Sequence, residues 1–284
     1  METIDLHTHS TYSDGTLTPT QLIEHACSLG ITAIALTDHD TLGGVGEALE
    51  AQCNFDIEVI PGVELSIEYA LPDNGHIHML GLFLDTNSSV LLEGLDWLRE
   101  QREARTPRII EKLGDLGIHI TEHEVRSIAG NGSVGRPHIA RLLMARGFVS
   151  SIQEAFDRFL AKGAPAYIPK RKFSLERAIK MIRGAGGIPI LAHPYSLKLG
   201  DQDLRSLLVR MKGMGLGGIE AFYTDHTSEQ TEQFLTLSKE LDLGVSGGSD
   251  FHGENKPEIR LGSGRGDLSI PSTILDELRS RLDR

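Results

Sequence analysis

Seven short runs rich in β-branched and apolar residues recur along the chain, separated by stretches with helical spacing. That alternation is the pattern of a parallel α/β protein. The runs are Thr3–His9, Ala33–His39, Val59–Glu68, Ile77–Asp85, Ile188–His193, Gly218–Tyr223 and Gly244–Asp250. Helix signals lie between them. Thr18-Pro19 opens one helix with Pro at the first helical position, and Gly30 closes it. Ser174 caps another, with Leu175, Ala178, Ile179 and Ile182 as its apolar stripe, and Pro271 opens a last one. The expected architecture is a seven-stranded β/α barrel.

The rhythm fails between about Ser88 and Ser174, where the chain reads as helix after helix. Leu91, Leu95 and Leu98 carry helical spacing, as do Ile109, Ile110 and Leu113, and Ile139, Leu142 and Leu143 suggest a further helix. The reading is a helical insert after the fourth strand: residues 1–95 and 166–284 form the barrel and 96–165 the insert. Such an insert emerges on the side where barrel loops build active sites, so it is expected to form part of the substrate site.

The placement of His, Asp and Glu carries the chemistry. His7 and His9 end the first run, and alternate residues of a strand share a face, so both imidazoles point into the barrel mouth. Asp14 follows in the next loop. The second run ends Asp38-His39-Asp40, the third carries Glu64, the fourth His76 and His78, the fifth ends at His193, and the seventh leads to Asp250 and His252. Six of the twelve histidines (7, 9, 39, 78, 193 and 252) thus fall with three carboxylates at one end of one barrel. A lone histidine at a strand end is usually a satisfied polar residue; nine such groups together are not. Mixed imidazole and carboxylate suits Mn, Fe or Zn, the lack of cysteine among these donors argues against a structural zinc site, and nine donors suit two or three ions. Hydrolytic sites use such ions to lower the pKa of water and offset charge on attacking and leaving oxygens.

The motifs DLHTHSTYSDG, LTDHDT, GVELS, HMLG, AHP and GSDFHG, in this order from residue 3 to about 265, resemble the polymerase and histidinol phosphatase (PHP) superfamily. The resemblance implies a distorted (β/α)7 barrel of α/β class binding up to three metals. Carried over by motif, His7, His9, Glu64 and Asp250 would hold one ion. Glu64, His78 and His193 would hold a second, and Asp14, His39 and His252 a third. His76 shares the direction of His78, but His78 precedes Met79-Leu80-Gly81 as the family histidine does. Asp40 is read as a catalytic candidate or as a residue orienting His39.

Within that superfamily, Gly135–Arg141, Ala166–Lys170 and Ser249–Gly253 resemble nucleoside 3',5'-bisphosphate phosphatases and related 5'-3' exoribonucleases. The resemblance implies a metal-dependent phosphoesterase acting on a small anionic nucleotide or short RNA. The formal net charge of −12 argues against extended DNA binding. Against that background, eight Lys or Arg face one acid, Glu176, between Arg158 and Arg183. A second phosphate needs donors of its own, and Arg offers a bidentate fork. Arg136 is the first candidate, with Ser133, Lys170 and Arg171 behind it. Histidinol-phosphate phosphatase, a polymerase-associated nuclease module and a non-catalytic metal-binding module are the alternatives. No apolar run approaches a membrane span, METIDLHTHS is unlike a leader, and Cys27 and Cys53 form no framework, so a cytoplasmic protein is expected.

Overall fold

The computed structural model describes residues 3–72, 75–130, 134–169 and 171–282. Seven strands form where the runs lie: β1 (Thr3–Thr8), β2 (Ile31–Leu36), β3 (Glu58–Ile67), β4 (Ile77–Leu82), β5 (Ile188–Leu191), β6 (Gly218–Tyr223) and β7 (Gly244–Gly248). They make one sheet in sequence order. Its two edges meet as well. Thr8 bridges Phe251 in parallel, Asp250 N–H donates to His7 O at 2.9 Å, and His9 N–H donates to Phe251 O at 3.0 Å. Gly248 permits this approach, since a Cβ there would lie 2.2 Å from His7 Cβ.

One strand direction departs from the all-parallel expectation. β4 runs antiparallel to both β3 and β5. A parallel crossover needs a dozen or more residues, and the chain leaves β3 at Ile67 and enters β4 at Ile77. It turns back as a hairpin instead, pairing Ser66 with His78. The reversal brings the start of β4, with His78, to the end of the sheet where β1, β2 and β5 finish.

After β1 and β2 come α1 (Pro19–Ser28) and α2 (Val45–Gln52). The long path from β4 to β5 holds α3 (Ser89–Glu103), α4 (Arg105–Asp115), α5 (Glu122–Ala129), α6 (Arg136–Ala145), α7 (Ile152–Ala155) and α8 (Leu175–Gly184). α9 (Asp201–Gly213), α10 (Ser228–Glu240) and α11 (Thr273–Arg279) follow β5, β6 and β7. The start of α1 is a full capping box: the Thr18 hydroxyl accepts from Gln21 N–H, and the Gln21 side chain accepts from Thr18 N–H. Ser174 caps α8 by accepting from Arg177 N–H, and the stripe Leu175, Ala178, Ile179 and Ile182 is buried. Leu175, Ile179 and Ile182 each contribute roughly 1.5–3 kcal/mol by burial. α11 starts two residues past Pro271, whose carbonyl accepts from Ile274 N–H at 3.2 Å.

The chain divides into two compact units. One runs up to Leu95 and resumes at Lys172, and the other is Asp96–Arg171. The helical unit has its own core, including Ile109, Leu113, Ile139, Leu142 and Leu143, with Ile110 partly buried against it. Ala166 and Ile168 belong to the same core, so this unit extends past the sequence boundary at 165 to Arg171.

Candidate metal centre

Four side chains, from β1 and the residue after it, from β3 and from the loop after β7, converge at the first site. His7 Nε2 lies 3.3 Å from Glu64 Oε2 and 3.5 Å from Asp250 Oδ1; His9 Nε2 lies 3.3 and 3.2 Å from the same two oxygens. His7, His9, Glu64 and Asp250 are at most 6% exposed. His7 Nε2, His9 Nε2, Glu64 Oε2 and Asp14 Oδ1 are buried without a hydrogen bond. An unsatisfied buried polar atom costs about 1–3 kcal/mol, more when charged. Several aimed at one another are what a cation site requires, and donors on an ion with bonds of about 2.1 Å stand about 3.0–3.4 Å apart. The residues fit a metal.

The other donors extend the cluster. His252 Nε2 is 3.2 Å and His39 Nε2 3.9 Å from Asp14, and with His9 these residues form one group of mutually close donors. Glu64 Oε1 is 2.7 Å from His78 Nδ1 and 3.0 Å from His193 Nε2, while Glu64 Oε2 is 3.0 Å from His39 Nδ1. Glu64 therefore sits at the hub. His76 also enters: His76, His78 and His193 each offer a nitrogen within 4.8 Å of the others. All nine expected ligands come together in the barrel unit, and the arrangement fits a multi-metal site.

What the outer nitrogens touch decides which nitrogen of each ring faces inward. His7 Nδ1 is 2.9 Å from Glu220 Oε1 and His252 Nδ1 is 2.7 Å from the Asp250 carbonyl; both partners only accept, so both Nδ1 atoms carry the proton. The Ser13 hydroxyl gives its one proton to Asp38 Oδ1 at 2.6 Å, so it accepts from His9 Nδ1 at 3.3 Å. Ser196 likewise donates to the His76 carbonyl and accepts from His193 Nδ1 at 3.0 Å. Four histidines are thus set to present Nε2 to the cluster, the arrangement a metal ligand needs.

Backbone and charge reinforce this aim. Asp250 and His193 adopt φ of 58° and 26°, left-handed conformations that cost a non-glycine residue about 1–3 kcal/mol. Asp250 Oδ2 accepts from Tyr223 OH at 2.8 Å and from Lys256 Nζ at 2.6 Å, which leaves Oδ1 to face His7 and His9. Burial opposes ionisation of Glu64, Asp14 and Asp250, yet the surrounding histidines (and Lys256 beside Asp250) hold all three well below the usual carboxylate range. Burial likewise opposes a charge on His9, but Asp250 and Glu64 outweigh it and raise the imidazole to about 9. Glu220, Glu64 and Asp250 hold His7 well above its ordinary value against the same burial. His78 goes the other way, pushed by burial to about 3.

Asp40 lies elsewhere than a proton donor at the cavity would. It is 4% exposed and absent from the cavity lining, and its Oδ1 accepts from Ser66 N–H at 3.0 Å. Asp40 N–H donates to Glu64 O, and Glu64 N–H to Asp38 O. Asp40 braces the strand that carries Glu64, where a role orienting His39 was one expectation. Three residues that sequence reasoning passed over prove central: Glu220, Asp38 and Lys256. Glu220 had a readable signal, a lone carboxylate in the apolar run Gly218–Tyr223.

The substrate candidates belong to the helical unit. Arg136 begins α6. Its Nη1 donates to Leu160 O at 2.9 Å, and its guanidinium lies 5.5 Å from the Phe156 ring and 5.6 Å from the Tyr167 ring. Arg105 is only 7% exposed, and burial together with the charges of Arg136 and Arg102 lowers it to about 10. Among the described residues, no carboxylate pairs with Arg105 or Arg136. Arg171 is exposed. Ser133 and Lys170 lie outside the described residues.

Similarity to known proteins covers most of the chain. The PHP domain profile matches residues 5–176. A 5'-3' exoribonuclease of Haemophilus influenzae is 38% identical over 248 residues, covering 87% of this chain and 89% of that protein. A 3',5'-nucleoside bisphosphate phosphatase of Chromobacterium violaceum is 33% identical over 285 residues, covering 100% of this chain and 99% of that one. A structure from Bifidobacterium adolescentis assigned as a metal-dependent phosphoesterase matches with a TM-score of 0.85 at 32% identity, covering 99% of this chain and 96% of that chain. With nine motif ligands assembled on a seven-stranded barrel and relatives alike across nearly its whole length, the chain belongs to the PHP-domain family.

Proposed function

We propose that this PHP-domain protein, a metal-dependent phosphoesterase, removes the 3'-phosphate of nucleoside 3',5'-bisphosphates and trims short 5'-phosphorylated RNA from its 5' end. The carrying observation is the convergence of buried, unbonded imidazole and carboxylate atoms beside a cavity of about 360 Å³. Two similar proteins named for these two activities support the substrate class. When bound, two or three divalent ions (Mn in first place, Fe or Zn as alternatives) supply Lewis acidity toward phosphoryl oxygens and a hydrolytic water of lowered pKa. The residues to hold them are His7, His9, Asp14, His39, Glu64, His78, His193, Asp250 and His252.

The chain's own groups do the rest. Lys256 lines the cavity with one N–H committed to Asp250, and an ammonium has three donors, so others remain for a phosphoryl oxygen. Tyr195 and Tyr223 line the same cavity and offer ring faces to a nucleoside. In the helical unit, Arg136 and Arg105 are cations without a carboxylate counter-charge among the described residues. We assign the non-scissile phosphate to Arg136, with Arg171, Lys170 and Ser133 as weaker contacts. No helix among the described residues is long and apolar enough to cross a membrane, and Cys27 and Cys53 are free thiols; a cytoplasmic setting fits the latter.

The test, on the Mn-loaded protein, measures phosphate release from adenosine 3',5'-bisphosphate and histidinol phosphate and mononucleotide release from short 5'-phosphorylated RNAs. The proposal expects the nucleotide and RNA substrates to lead by kcat/KM. A lead for histidinol phosphate would overturn the nucleotide assignment and leave the phosphoesterase in place.

A further inference from the structure

The cluster contains nine motif ligands, but one fully buried carboxylate outside that set touches two of them. Glu220 lies on β6, at a position paired with Ser246 of β7, and is 0% exposed. Its Oε1 accepts from His7 Nδ1 at 2.9 Å, and its Oε2 accepts from the backbone N–H of His193 at 2.6 Å. His7 belongs to the group His7, His9, Glu64 and Asp250; His193 belongs to the group His76, His78 and His193. One side chain therefore steadies members of two different donor groups. It also satisfies the backbone of His193 at a φ of 26°, which an unsupported residue would not keep.

From this geometry we infer that Glu220 is a positioning residue that fixes the His7 tautomer and the His193 backbone, and so sets the metal affinity of the His7 site. The inference rests on the multi-metal reading of the cluster. A carboxylate offers two acceptors, and both are used. Glutamine has the same shape but one acceptor and one NH2 group. The His193 backbone N–H can only donate, so it claims the amide oxygen. The NH2 then faces His7 Nδ1, which must surrender its proton and accept. The proton moves to Nε2, the atom that stands 3.3 Å from Glu64 and 3.5 Å from Asp250. A protonated Nε2 cannot be a ligand. Loss of an outer hydrogen-bond partner of a ligating histidine costs roughly 10- to 100-fold in metal affinity.

The experiment compares wild type, Glu220→Gln and Glu220→Ala by zinc titration against a competing chelator, with circular dichroism to verify folding. The zinc-loaded wild type is also read by long-range proton–nitrogen NMR of its imidazoles. We expect both variants to lose one equivalent of zinc by a roughly 10- to 100-fold rise in its dissociation constant. The wild type should show a slowly exchanging proton on His7 Nδ1. If Glu220 only fills space, the isosteric glutamine binds like wild type while alanine does not, and the inference is overturned. A zinc-loaded wild type whose His7 carries its proton on Nε2 overturns it without reference to any variant. A wild type that binds no metal at all refutes the metal centre itself, which is a different result from a metal-binding wild type matched by Glu220→Gln.

Discussion

Replacing Asp38 tests whether the loop after β1 is held as described. Asp38 is 1% exposed and accepts three hydrogen bonds: from Ser10 N–H at 2.8 Å, Ser10 Oγ at 2.6 Å and Ser13 Oγ at 2.6 Å. Asp38→Ala leaves the Ser10 N–H buried without a partner, at about 1–3 kcal/mol, and forfeits about 1.5–3 kcal/mol for each hydroxyl bond that finds no substitute. Hydroxyls can rotate, so the sum falls to roughly 3–5 kcal/mol, a large part of the 5–15 kcal/mol that holds a typical domain. Asp38→Asn keeps an oxygen at Oδ1 for Ser10 N–H and Ser13 Oγ, and Ser10 Oγ can turn to accept from the new NH2. It should cost about 1 kcal/mol. Urea unfolding followed by circular dichroism on both variants measures the two costs. An alanine variant within 1 kcal/mol of wild type, or an asparagine variant as unstable as alanine, would refute this account of the loop.

Three further outcomes are expected. His9→Ala and Asp250→Ala should each abolish phosphate release while circular dichroism shows a folded chain; global unfolding of both would mean that they support the core and not a metal. Metal-free protein should be most stable near pH 6–7. His9, raised to about 9, and His7, also raised, contribute stability that is full below the unfolded value of about 6.5 and is lost as pH climbs through their folded values. The depressed Glu64, Asp14 and Asp250 contribute above their unfolded values and lose that contribution in acid, and His78, lowered to about 3, costs stability below about pH 6.5; a melting temperature rising steadily from pH 6.5 to 9 in chelator would contradict this. Arg136→Ala should lower kcat/KM for a 3',5'-bisphosphate by about 10- to 150-fold, equivalent to roughly 1.5–3 kcal/mol, and leave a 3'-monophosphate nearly unchanged. An equal fall on both substrates would assign Arg136 to the fold or the scissile phosphate.

The seven strands were legible because each is a compact apolar run, and the donors were legible because His, Asp and Glu have no packing reason to collect at strand ends. The direction of β4 was not, since alternation is the same read either way. Only the short path from Ile67 to Ile77 hinted at a hairpin, and the reversal explains how His78, at the beginning of its strand, joins ligands from the ends of others. Glu220 and Asp38 escaped notice because their work is defined by partners 213 and 25–28 residues away, a relation that spacing along the chain does not encode. Arg105 sits among Arg99, Arg102, Glu103 and Arg108, with nothing in that spacing to mark it for burial, yet folding leaves it 7% exposed. Asp40 shares a motif with His39, but a backbone at φ 55° sends its carboxylate to Ser66 N–H.

The most direct test of the central claim pairs elemental analysis with phosphate release on the same preparation. Purified protein should carry more than one equivalent of divalent transition metal, because the donors form several groups, two of which share Glu64. Removal of that metal should abolish release from adenosine 3',5'-bisphosphate, and adding Mn should restore it. Protein stripped of metal that still releases phosphate at an undiminished rate would contradict the account.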